Sequence, residues 1–305
     1  MIVETNVFKT NNLVSVVIVN YNVGTCLIEC INAALPYVHE IIVVDNDSTD
    51  SSIDLFSQFY YDEPKLKLIR SKTNRGFAVA CNMGAMRAKG DLLFFLNPDC
   101  FLDESAVAEL TQALVTNNEV GMVGGLLCNR DGSEQGGGRR AIPTPWRSFV
   151  RAFGLSKYAN RWPKLFFDFH LHMQPLPKQP IEVEAISGAC MLVKRTAIED
   201  VGLWDEDYFL HCEDLDWCMR FRQKDWKIMF VPKARVTHNL GMCSKSRPVF
   251  VSWHKHKGMI RFYRKFFRHQ YPGILLGLVM FGVWLHFSFF VIHNTIKRAS
   301  RNWHG

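Results

Sequence analysis

The sequence predicts an α/β protein with a doubly wound, mostly parallel sheet and helices on both of its faces. Between residues 14 and 100, strand-like stretches alternate with helix-like ones, an order that requires crossovers between parallel strands. One strand-like stretch is also continuously apolar: in DLLFFLNPDC, residues 92–96 are all apolar. Such runs are typical of strands covered on both faces. With 305 residues, 48% of them hydrophobic, the chain suits one large domain or one domain plus an appendage.

Each predicted element rests on its own stretch of sequence. The first strand is predicted over VSVVIVNYN, and the helix after it over GTCLIECINAAL, where apolar residues recur at helical spacing. The second strand is EIIVVD; the third is the short run LKLIR, followed by a glycine turn and a helix that Gly90 closes. The fourth strand is DLLFFL. Further along, EAISGACMLVKRTAIEDVG predicts a strand and a helix, and FLHCEDLDWCMRFRQKDW predicts a polar turn before an amphipathic helix.

Polar residues follow three of these strands at the point where each strand ends. They are residues 20–22 (Asn-Tyr-Asn), 45–47 (Asp-Asn-Asp) and 97–99 (Asn-Pro-Asp). In open α/β sheets, ligands bind beyond the carboxyl ends of the strands. We therefore expect three loops to converge on one crevice. Residues 129–180 are rich in Gly, Pro and aromatic residues and predict a long loop, functional or mobile, that is placed to cover the crevice.

Charge is distributed unevenly along the chain. The net charge of the whole chain is +7. Residues up to Asp225, the last acidic residue, have a net charge of −7, and the residues after it have a net charge of +14. The basic character therefore belongs to the C-terminal end alone, and nucleic acid is not an expected partner. Nine cysteines without a C-x-x-C pair indicate a reduced domain that faces the cytosol. The first residues, MIVETNVFKTNN, lack an apolar run after a basic start, so no signal peptide is expected.

The C-terminal residues predict an attachment to a membrane. Residues 273–292 are twenty residues without a formal charge, with His286 among them, and are long enough to span a bilayer. The segment before them alternates aromatic with basic residues, which fits an anionic membrane surface; its cations are Lys255, Lys257, Arg261, Arg264, Lys265 and Arg268. The alternative is a buried hairpin or a helix packed on the domain. More basic residues precede the span than follow it (Lys297, Arg298 and Arg301), so the main domain is expected in the cytoplasm, on the inner membrane. This organisation divides the chain into a catalytic domain at residues 1–247 and a membrane-associated part at residues 248–305.

Carboxylates at the strand ends are candidate ligands for a metal and a nucleotide. Asp99 follows Pro98, which fixes the backbone, and can hold a hard divalent cation shared with substrate phosphates. The alternative is an ordinary Asn-Pro-Asp turn. Asp45 can accept hydrogen bonds from a nucleoside, or merely cap the next helix, a role that Ser48 or Asp50 can also fill. Arg75 and Gly76 lie at a strand-to-helix turn that suits a nucleotide.

A second acidic group, in HCEDLDWCMR, is the candidate for acid–base chemistry. It contributes Glu213, Asp214 and Asp216 within four residues, and adjacent carboxylates raise one another's pKa toward neutrality. The alternative is acid enrichment in the first turn of a helix, which suffices for Asp216. His238, in VTHNLGMCSK, is either a satisfied loop histidine or a partner of Asp99 in a metal or phosphate site.

Taken together, the ordered motifs resemble glycosyltransferase family two, with the GT-A fold, and most of all its bacterial rhamnosyltransferase-like branch. The motifs are VVIVNYN, VVDNDSTDSS, NRGFAVACNMG, LLFFLNPD, SGACMLVKR, FLHCEDLDWCMR and VTHNLGMCSK, and the resemblance covers residues 13–247. It implies transfer of a sugar from a nucleotide donor with inversion at the anomeric carbon.

The resemblance also implies roles for individual residues. Asp45, Val19, Tyr21, Arg75 and Gly76 would enclose the nucleotide-sugar. Asp99, with His238 nearby, would bind Mg²⁺ or Mn²⁺ on the diphosphate. Asp214 would be the catalytic base, with Glu213 as the second candidate, and Gly188 and Ala189 would meet the acceptor sugar. These implied residues all stand at the matching positions of the sequence.

One departure from the family pattern concerns the metal. The first acid of the Asp-x-Asp motif is here Asn97, so the cation would be held by fewer charges.

The resemblance implies a polyprenyl-diphosphate-linked saccharide as acceptor, membrane lipids as partners, and surface polysaccharide assembly as the process, with rhamnose from dTDP-rhamnose as one candidate sugar. Arg139 and Arg140 are then either cations near the lipid diphosphate or part of a solvated basic loop. Two alternatives remain: the same chemistry with another donor or a protein acceptor, and a catalytically silent scaffold that binds nucleotide-sugars.

Overall fold

The computed structural model describes residues 12–159, 161–167, 169–239 and 247–303, with the backbone alone for residue 152 and residues 298–303. The end of the VTHNLGMCSK motif and the side chains of Arg298 and Arg301, which entered the charge comparison, lie outside this description. The first half contains β1 (Val14–Asn20), α1 (Cys26–Ala34), β2 (Glu40–Asp45), α2 (Ser52–Phe59), β3 (Leu66–Arg70), α3 (Phe77–Ala85), β4 (Leu92–Leu96), β5 (Cys100–Leu102), α4 (Ala106–Val115) and β6 (Val120–Cys128).

The described part of the second half contains five strands and five α-helices. Its elements are β7 (Arg139–Arg140), α5 (Pro145–Ala152), β8 (Ile181–Glu182), β9 (Ala185–Ile186), β10 (Cys190–Lys194), α6 (Arg195–Val201), α7 (Glu213–Gln223), β11 (Lys227–His238), α8 (Pro248–Phe267) and α9 (Gly273–Trp303).

The main sheet has the strand order β3-β2-β1-β4-β10-β6-β11-β5, and β8 pairs with β11. Strands β3, β2, β1 and β4 are parallel, and β11 is parallel to β6, whereas β10 runs antiparallel between β4 and β6. Helices α1, α2 and α4 cover one face, and α3, α6 and α7 cover the other. The prediction of a mostly parallel α/β sheet with helices on both faces is therefore confirmed.

The continuous apolar run of β4 serves two hydrophobic cores at once. All five of its residues are buried. Successive side chains of a strand point to opposite faces, so Phe95 packs in the core below α3 and α7 while Phe94 packs in the core below α1 and α4. The ring of Phe95 lies 5.2 Å from Trp204 and 5.4 Å from Trp217, both edge-on. The strand therefore ends on a rigid support just before Asn97.

Residues 129–180 are more ordered than the prediction of a long loop implied. Strand β7 pairs antiparallel with β9 in a separate two-stranded sheet. Helix α5 begins with Pro145, and the side chain of Thr144 accepts a hydrogen bond from the backbone N–H of Arg147, which caps the helix. This segment therefore borders the carboxyl ends of the strands with fixed structure.

Helix α8 packs on the domain that contains the main sheet, and α9 extends from it. Apolar side chains of α8, among them Phe262 and Phe266, are buried in the core, while Arg261 and Lys265 form ion pairs with Asp205. Two of the six cations predicted to face a membrane are thus bound to the domain. Among the described residues, one helix is long and apolar enough to cross a membrane, at Gly273–Lys297, with a mean hydropathy of 2.2. Only 6% of that span is buried, which contradicts the alternative of a buried hairpin.

Candidate functional site

Asp99 and His238 form a pair at one end of the sheet. Strand β5 follows Asp99 directly and pairs with the end of β11, so His238 stands opposite Cys100. The distance between His238 Nε2 and Asp99 Oδ1 is 3.2 Å, and both side chains are 6% exposed. Together with the thiol of Cys100, their ligand atoms lie within 4.8 Å of one another. The Cys100 thiol contacts the carbonyl oxygen of Ala189 at 3.4 Å, and burial raises its pKa well above the usual value, so it stays protonated and is not an anionic ligand.

Gln135 orients His238. The side-chain amide of Gln135 donates to the carbonyl oxygen of His238 at 3.2 Å, so its Oε1, 2.6 Å from His238 Nδ1, accepts the proton of that ring nitrogen. With Nδ1 held by Gln135, Nε2 is the ring nitrogen that can offer an electron pair to a cation beside Asp99. A carboxylate and an imidazole fixed from behind are ligands that Mn²⁺ or Mg²⁺ accepts when phosphates complete its coordination, so the residues fit the predicted metal. No motif in the sequence points to Gln135, which lies in the Gly-rich segment, 36 residues after Asp99 and 103 residues before His238 in the chain.

The ends of β1 and β2 form the predicted nucleotide side of the crevice. Asn20 and Asp45 are paired in register, and the amide of Asn20 donates to Asp45 Oδ1 at 3.2 Å. Asp45 also accepts from the backbone N–H of Ser48 at 3.3 Å and is buried. Val19 is buried in β1, and Tyr21, just beyond that strand, is half-buried. The strand ends therefore hold Asp45 in one orientation without covering it with a helix.

The turn at Arg75 and Gly76 is fastened to the end of β2 by Asn46. Asn46 donates to the carbonyl oxygen of Gly76 at 3.2 Å and accepts from the backbone N–H of Arg75 at 3.0 Å. Gly76 has φ +89° and ψ 169°, a conformation nearly restricted to glycine. A Cβ at this position would lie 2.6 Å from the carbonyl oxygen of Phe209. The turn therefore needs glycine, and the side chain of Arg75 remains exposed.

The acidic pair stands at the first turn of α7. His211 and Cys212 precede it with φ of 68° and 71°, so two successive non-glycine residues adopt the left-handed conformation. This unfavourable backbone turns the chain into α7. Asp214 Oδ2 lies 2.5 Å from Arg140 Nη2 and 3.3 Å from the backbone nitrogen of Gly188, while Oδ1 accepts from the backbone N–H of Leu215 at 2.8 Å.

The two carboxyl groups differ in charge at neutral pH. Burial raises the pKa of Asp214, but the charge and hydrogen bond of Arg140, with the N–H groups of Gly188 and Leu215, outweigh it and hold the pKa below its usual value. Glu213 is buried with no partner for Oε2, and burial together with the negative charge of Asp214 raises its pKa to about 8. Asp214 is therefore ionised at pH 7, whereas Glu213 is protonated.

Asp216, the third acid, is held by ion pairs. It is fully buried and binds Arg220 at 2.7 Å and Lys265 at 2.6 Å. These contacts join α7 to α8, and enrichment of acids in the first helical turn does not account for them. Asp216 is thus an anchor for the helix that carries Asp214.

Neither arginine of β7 is solvated. Arg139 is 2% exposed, binds both carboxylate oxygens of Glu134 and lies over the ring of Phe230. Arg140 binds Asp214 and the carbonyl oxygen of Ile186. The alternative of a solvated basic loop is therefore wrong, because buried guanidinium groups require carboxylate or carbonyl partners. The contact of Arg140 with Asp214 was missed, since 74 residues separate the two in the chain.

Gly188 and Ala189 connect the acidic pair to the metal side of the crevice. The backbone N–H of Gly188 faces Asp214, and the carbonyl oxygen of Ala189 accepts from the backbone N–H of Asn97 at 2.9 Å. The side chain of Asn97 is half-buried. A Cβ on Gly188 would lie 3.4 Å from the Cβ of Asp214, so the backbone approaches the carboxylate closely. The structure thus brings both groups of predicted site residues to one end of the sheet.

Known proteins share both the sequence and the fold. The family model of glycosyl transferase family 2 matches residues 15–202, and that of glycosyl transferase family group 2 matches residues 138–299. An N-acetylglucosaminyl-diphospho-decaprenol L-rhamnosyltransferase of Mycobacterium tuberculosis is 28% identical over 243 residues, which cover 75% of this chain and 76% of that protein.

Two solved structures share the fold. A mannosyltransferase from Pyrobaculum calidifontis in complex with GDP-Man and Mn²⁺ has a TM-score of 0.56 and 16% identity, over 90% of this chain and 69% of that one. The enzyme GalNAc-T7 with UDP, GalNAc and Mn²⁺ has a TM-score of 0.55 and 19% identity, over 74% of this chain and 43% of that one. This chain thus matches under half of the second protein.

Proposed function

The chain belongs to glycosyl transferase family 2, and from this premise we propose that it transfers a sugar from a nucleotide donor to a lipid-linked saccharide with inversion at the anomeric carbon. The observation that carries the proposal is the link between an ionised Asp214 and the Asp99–His238 pair through residues 187–189. This link supports a reaction in which a proton acceptor and a metal act at the same end of the sheet. Rhamnose from dTDP-rhamnose is the donor we favour, because a relative over three quarters of the chain is a rhamnosyltransferase that acts on a diphospho-decaprenol saccharide.

In the proposed reaction, Asp214 is the base. It accepts the proton of an acceptor hydroxyl while the hydroxyl oxygen forms a bond to the anomeric carbon and the bond between that carbon and the diphosphate oxygen breaks. The leaving nucleoside diphosphate takes the electron pair. Glu213, protonated at neutral pH, is poorly suited to be the base, and its neutral side chain keeps a second negative charge away from Asp214. Gly188 and Ala189 would guide the acceptor sugar past Asp214.

The donor would lie across the ends of β1, β2 and β4. Asp45 would accept hydrogen bonds from the nucleoside, with Val19 and Tyr21 alongside and the turn at Arg75 and Gly76 enclosing it. Asp99 and His238 would hold Mn²⁺ or Mg²⁺, which would neutralise charge on the diphosphate. Asn97 would add a neutral amide in place of a second acid.

The proposed acceptor lies at a membrane. The apolar span of α9 would anchor the chain, and the basic residues of α8 that precede it favour the cytoplasmic face of the inner (plasma) membrane. The catalytic crevice would then stay close to the lipid surface, where a polyprenyl-diphosphate saccharide is presented. This arrangement fits assembly of a cell-surface polysaccharide such as O-antigen or capsule.

The test is a transfer assay with membranes that contain the protein. A panel of labelled nucleotide-sugars including dTDP-rhamnose is supplied with and without EDTA, and label in the organic-extractable lipid fraction is counted. The proposal expects label from one donor, lost with EDTA and restored by Mn²⁺ or Mg²⁺; membranes with the Asp214→Asn variant are the matched blank. Label that appears in protein and not in lipid would contradict the proposed acceptor.

A further inference from the structure

A second cavity lies beside the catalytic crevice, between α8 and the segment that precedes α7. Its volume is about 780 Å³. One wall is formed by residues 207–209 and His211, the opposite wall by one face of α8, and Trp284 of α9 closes the end. The cavity is thus bordered by the catalytic domain, by the docked helix and by the apolar helix at the same time.

The wall formed by residues 207–211 is shared with the catalytic crevice. The carbonyl oxygen of Phe209 accepts from the backbone N–H of Phe77 at 2.8 Å and lies against Gly76, in the turn that faces the donor. His211 stands three residues before Asp214 at the other end of the wall. On the α8 side, a Cβ on Gly258 would lie 2.7 Å from the carbonyl oxygen of His211, so the helix approaches the wall as closely as glycine permits. The cavity and the catalytic crevice are therefore separated by one short segment, residues 207–211, which leads into the helix that carries Asp214.

Basic residues of α8 line the cavity. His254, Lys257, Arg261 and Arg264 recur at spacings of three and four and share one helical face. Arg261 is paired with Asp205 and Asp207, and Lys265 is paired with Asp205 and Asp216. In the described part of the chain, no carboxylate pairs with Lys257 or Arg264. These two charges are therefore available to an anion.

Two buried polar atoms of residues that line the cavity also lack partners. They are the hydroxyl of Tyr208 and Nε of Arg261, and the guanidinium of Arg261 lies 5.3 Å from the centre of the Tyr208 ring. Buried polar groups in folded proteins are nearly always hydrogen-bonded, so these two atoms are uncommon, but they are covered by protein and do not open into the cavity. At the other end, Trp284 offers an apolar surface that continues along α9.

We infer that this cavity binds the diphosphate of the lipid-linked acceptor, with Lys257 and Arg264 on the phosphate oxygens and the prenyl chain along Trp284 toward α9. The identity of the ligand rests on the proposed function. The acceptor sugar, attached to the diphosphate, would then extend past His211 to Asp214. Specificity for a lipid diphosphate would arise because the unpaired charges of Lys257 and Arg264 lie next to the apolar helix α9.

The test measures binding without catalysis. Farnesyl diphosphate is titrated by calorimetry into the full chain in detergent, with EDTA present so that a metal at Asp99 and His238 does not hold the diphosphate. We expect Lys257→Gln and Arg264→Gln each to raise the Kd about tenfold, as loss of one charge-assisted hydrogen bond predicts. Arg268→Gln, the same change at the residue that directly follows α8 and outside the lining of the cavity, is expected to leave the Kd unchanged.

Three outcomes would overturn the inference. In the first, the unmodified chain does not bind farnesyl diphosphate. In the second, Arg264→Gln and Arg268→Gln change the Kd equally. In the third, an equal concentration of anionic phospholipid displaces farnesyl diphosphate, which would indicate a general headgroup site. Inorganic diphosphate is expected to bind more weakly than farnesyl diphosphate, and equal binding would contradict the role of Trp284. If farnesyl diphosphate binds as expected while no donor labels lipid in the transfer assay, the proposed function fails and the cavity assignment stands.

Discussion

Arg140 of β7 lies 2.5 Å from Asp214 of α7 and joins the Gly-rich segment to the helix that carries the proposed base. The guanidinium also reaches the carbonyl oxygen of Ile186, in β9, next to the loop that contains Gly188. One side chain thus positions the carboxylate and fixes its charge. Because Glu213 beside it stays protonated, the site holds a single negative charge where the acceptor hydroxyl would arrive.

Replacing Asp214 with Asn tests the proposed base. The amide keeps the size and the contact with Gly188 but cannot accept a proton, so kcat is expected to fall by about 10²- to 10⁴-fold, the usual contribution of general base catalysis. The KM for the donor is expected to change little. Asp200→Asn, at an exposed carboxylate that pairs with Lys224, is the control. Transfer at the normal rate by Asp214→Asn would exclude Asp214 as the base.

Arg140→Gln is expected to change the pH dependence of transfer. Without the guanidinium, burial would raise the pKa of Asp214, so a larger fraction of the base would be protonated at a given pH. The acidic limb of the profile of kcat against pH should therefore move to higher pH. Arg140→Lys, which keeps the charge, should restore part of the original profile. An unchanged limb together with a lower rate at all pH values would mean that Arg140 acts on geometry alone.

Glu213→Gln should make the protein more resistant to alkaline conditions. The folded-state pKa of Glu213 is about 8, above its usual value of 4.5, so between these pH values the folded chain holds a proton that the unfolded chain releases. The contribution of Glu213 to the free energy of unfolding is therefore fully present below pH 4.5 and is lost as the pH rises toward 8. The difference in Tm between the variant and the unmodified protein should grow in favour of Glu213→Gln across that range. Glu199→Gln, at an exposed residue, should show no such trend.

The sequence predicts some parts of this molecule better than others. The parallel half of the sheet could be predicted largely because β1, β2 and β4 each carry an apolar run and end in polar residues. Strand β10 gives no local sign that it inserts antiparallel between β4 and β6, because that depends on long-range pairing. The same holds for Gln135 and Arg140, which meet His238 and Asp214 only after folding. Motif spacing therefore located the residues of the proposed site, but not the side chains that orient them.

Gln135→Leu should weaken the metal site without touching a ligand. The variant removes the acceptor for His238 Nδ1, so the ring is free to rotate and its Nε2 loses its fixed direction toward Asp99. Loss of such a supporting contact typically costs 10- to 100-fold in metal affinity, and we expect about that rise in the Mn²⁺ concentration for half-maximal binding, measured by electron paramagnetic resonance. Gln112→Leu, on the exposed face of α4, is the control. Equal Mn²⁺ affinity in both variants would contradict the assignment of His238 as a ligand.

Gly76→Ala should damage the donor side of the crevice. The residue has φ +89°, and an added Cβ would lie 2.6 Å from the carbonyl oxygen of Phe209, so both backbone strain and a clash oppose the change. Strain of this kind alone costs about 1–3 kcal/mol of stability. Gly24→Ala is the matched control, because its φ is +60° but no atom lies within 4 Å of an added Cβ. We expect both variants to lower the Tm. Gly76→Ala alone is expected to raise the KM for the nucleotide-sugar, because in the proposed site the turn at Arg75 and Gly76 encloses the donor. Equal donor KM values for the two variants would mean that the turn at Arg75 and Gly76 supports the fold without contacting the substrate.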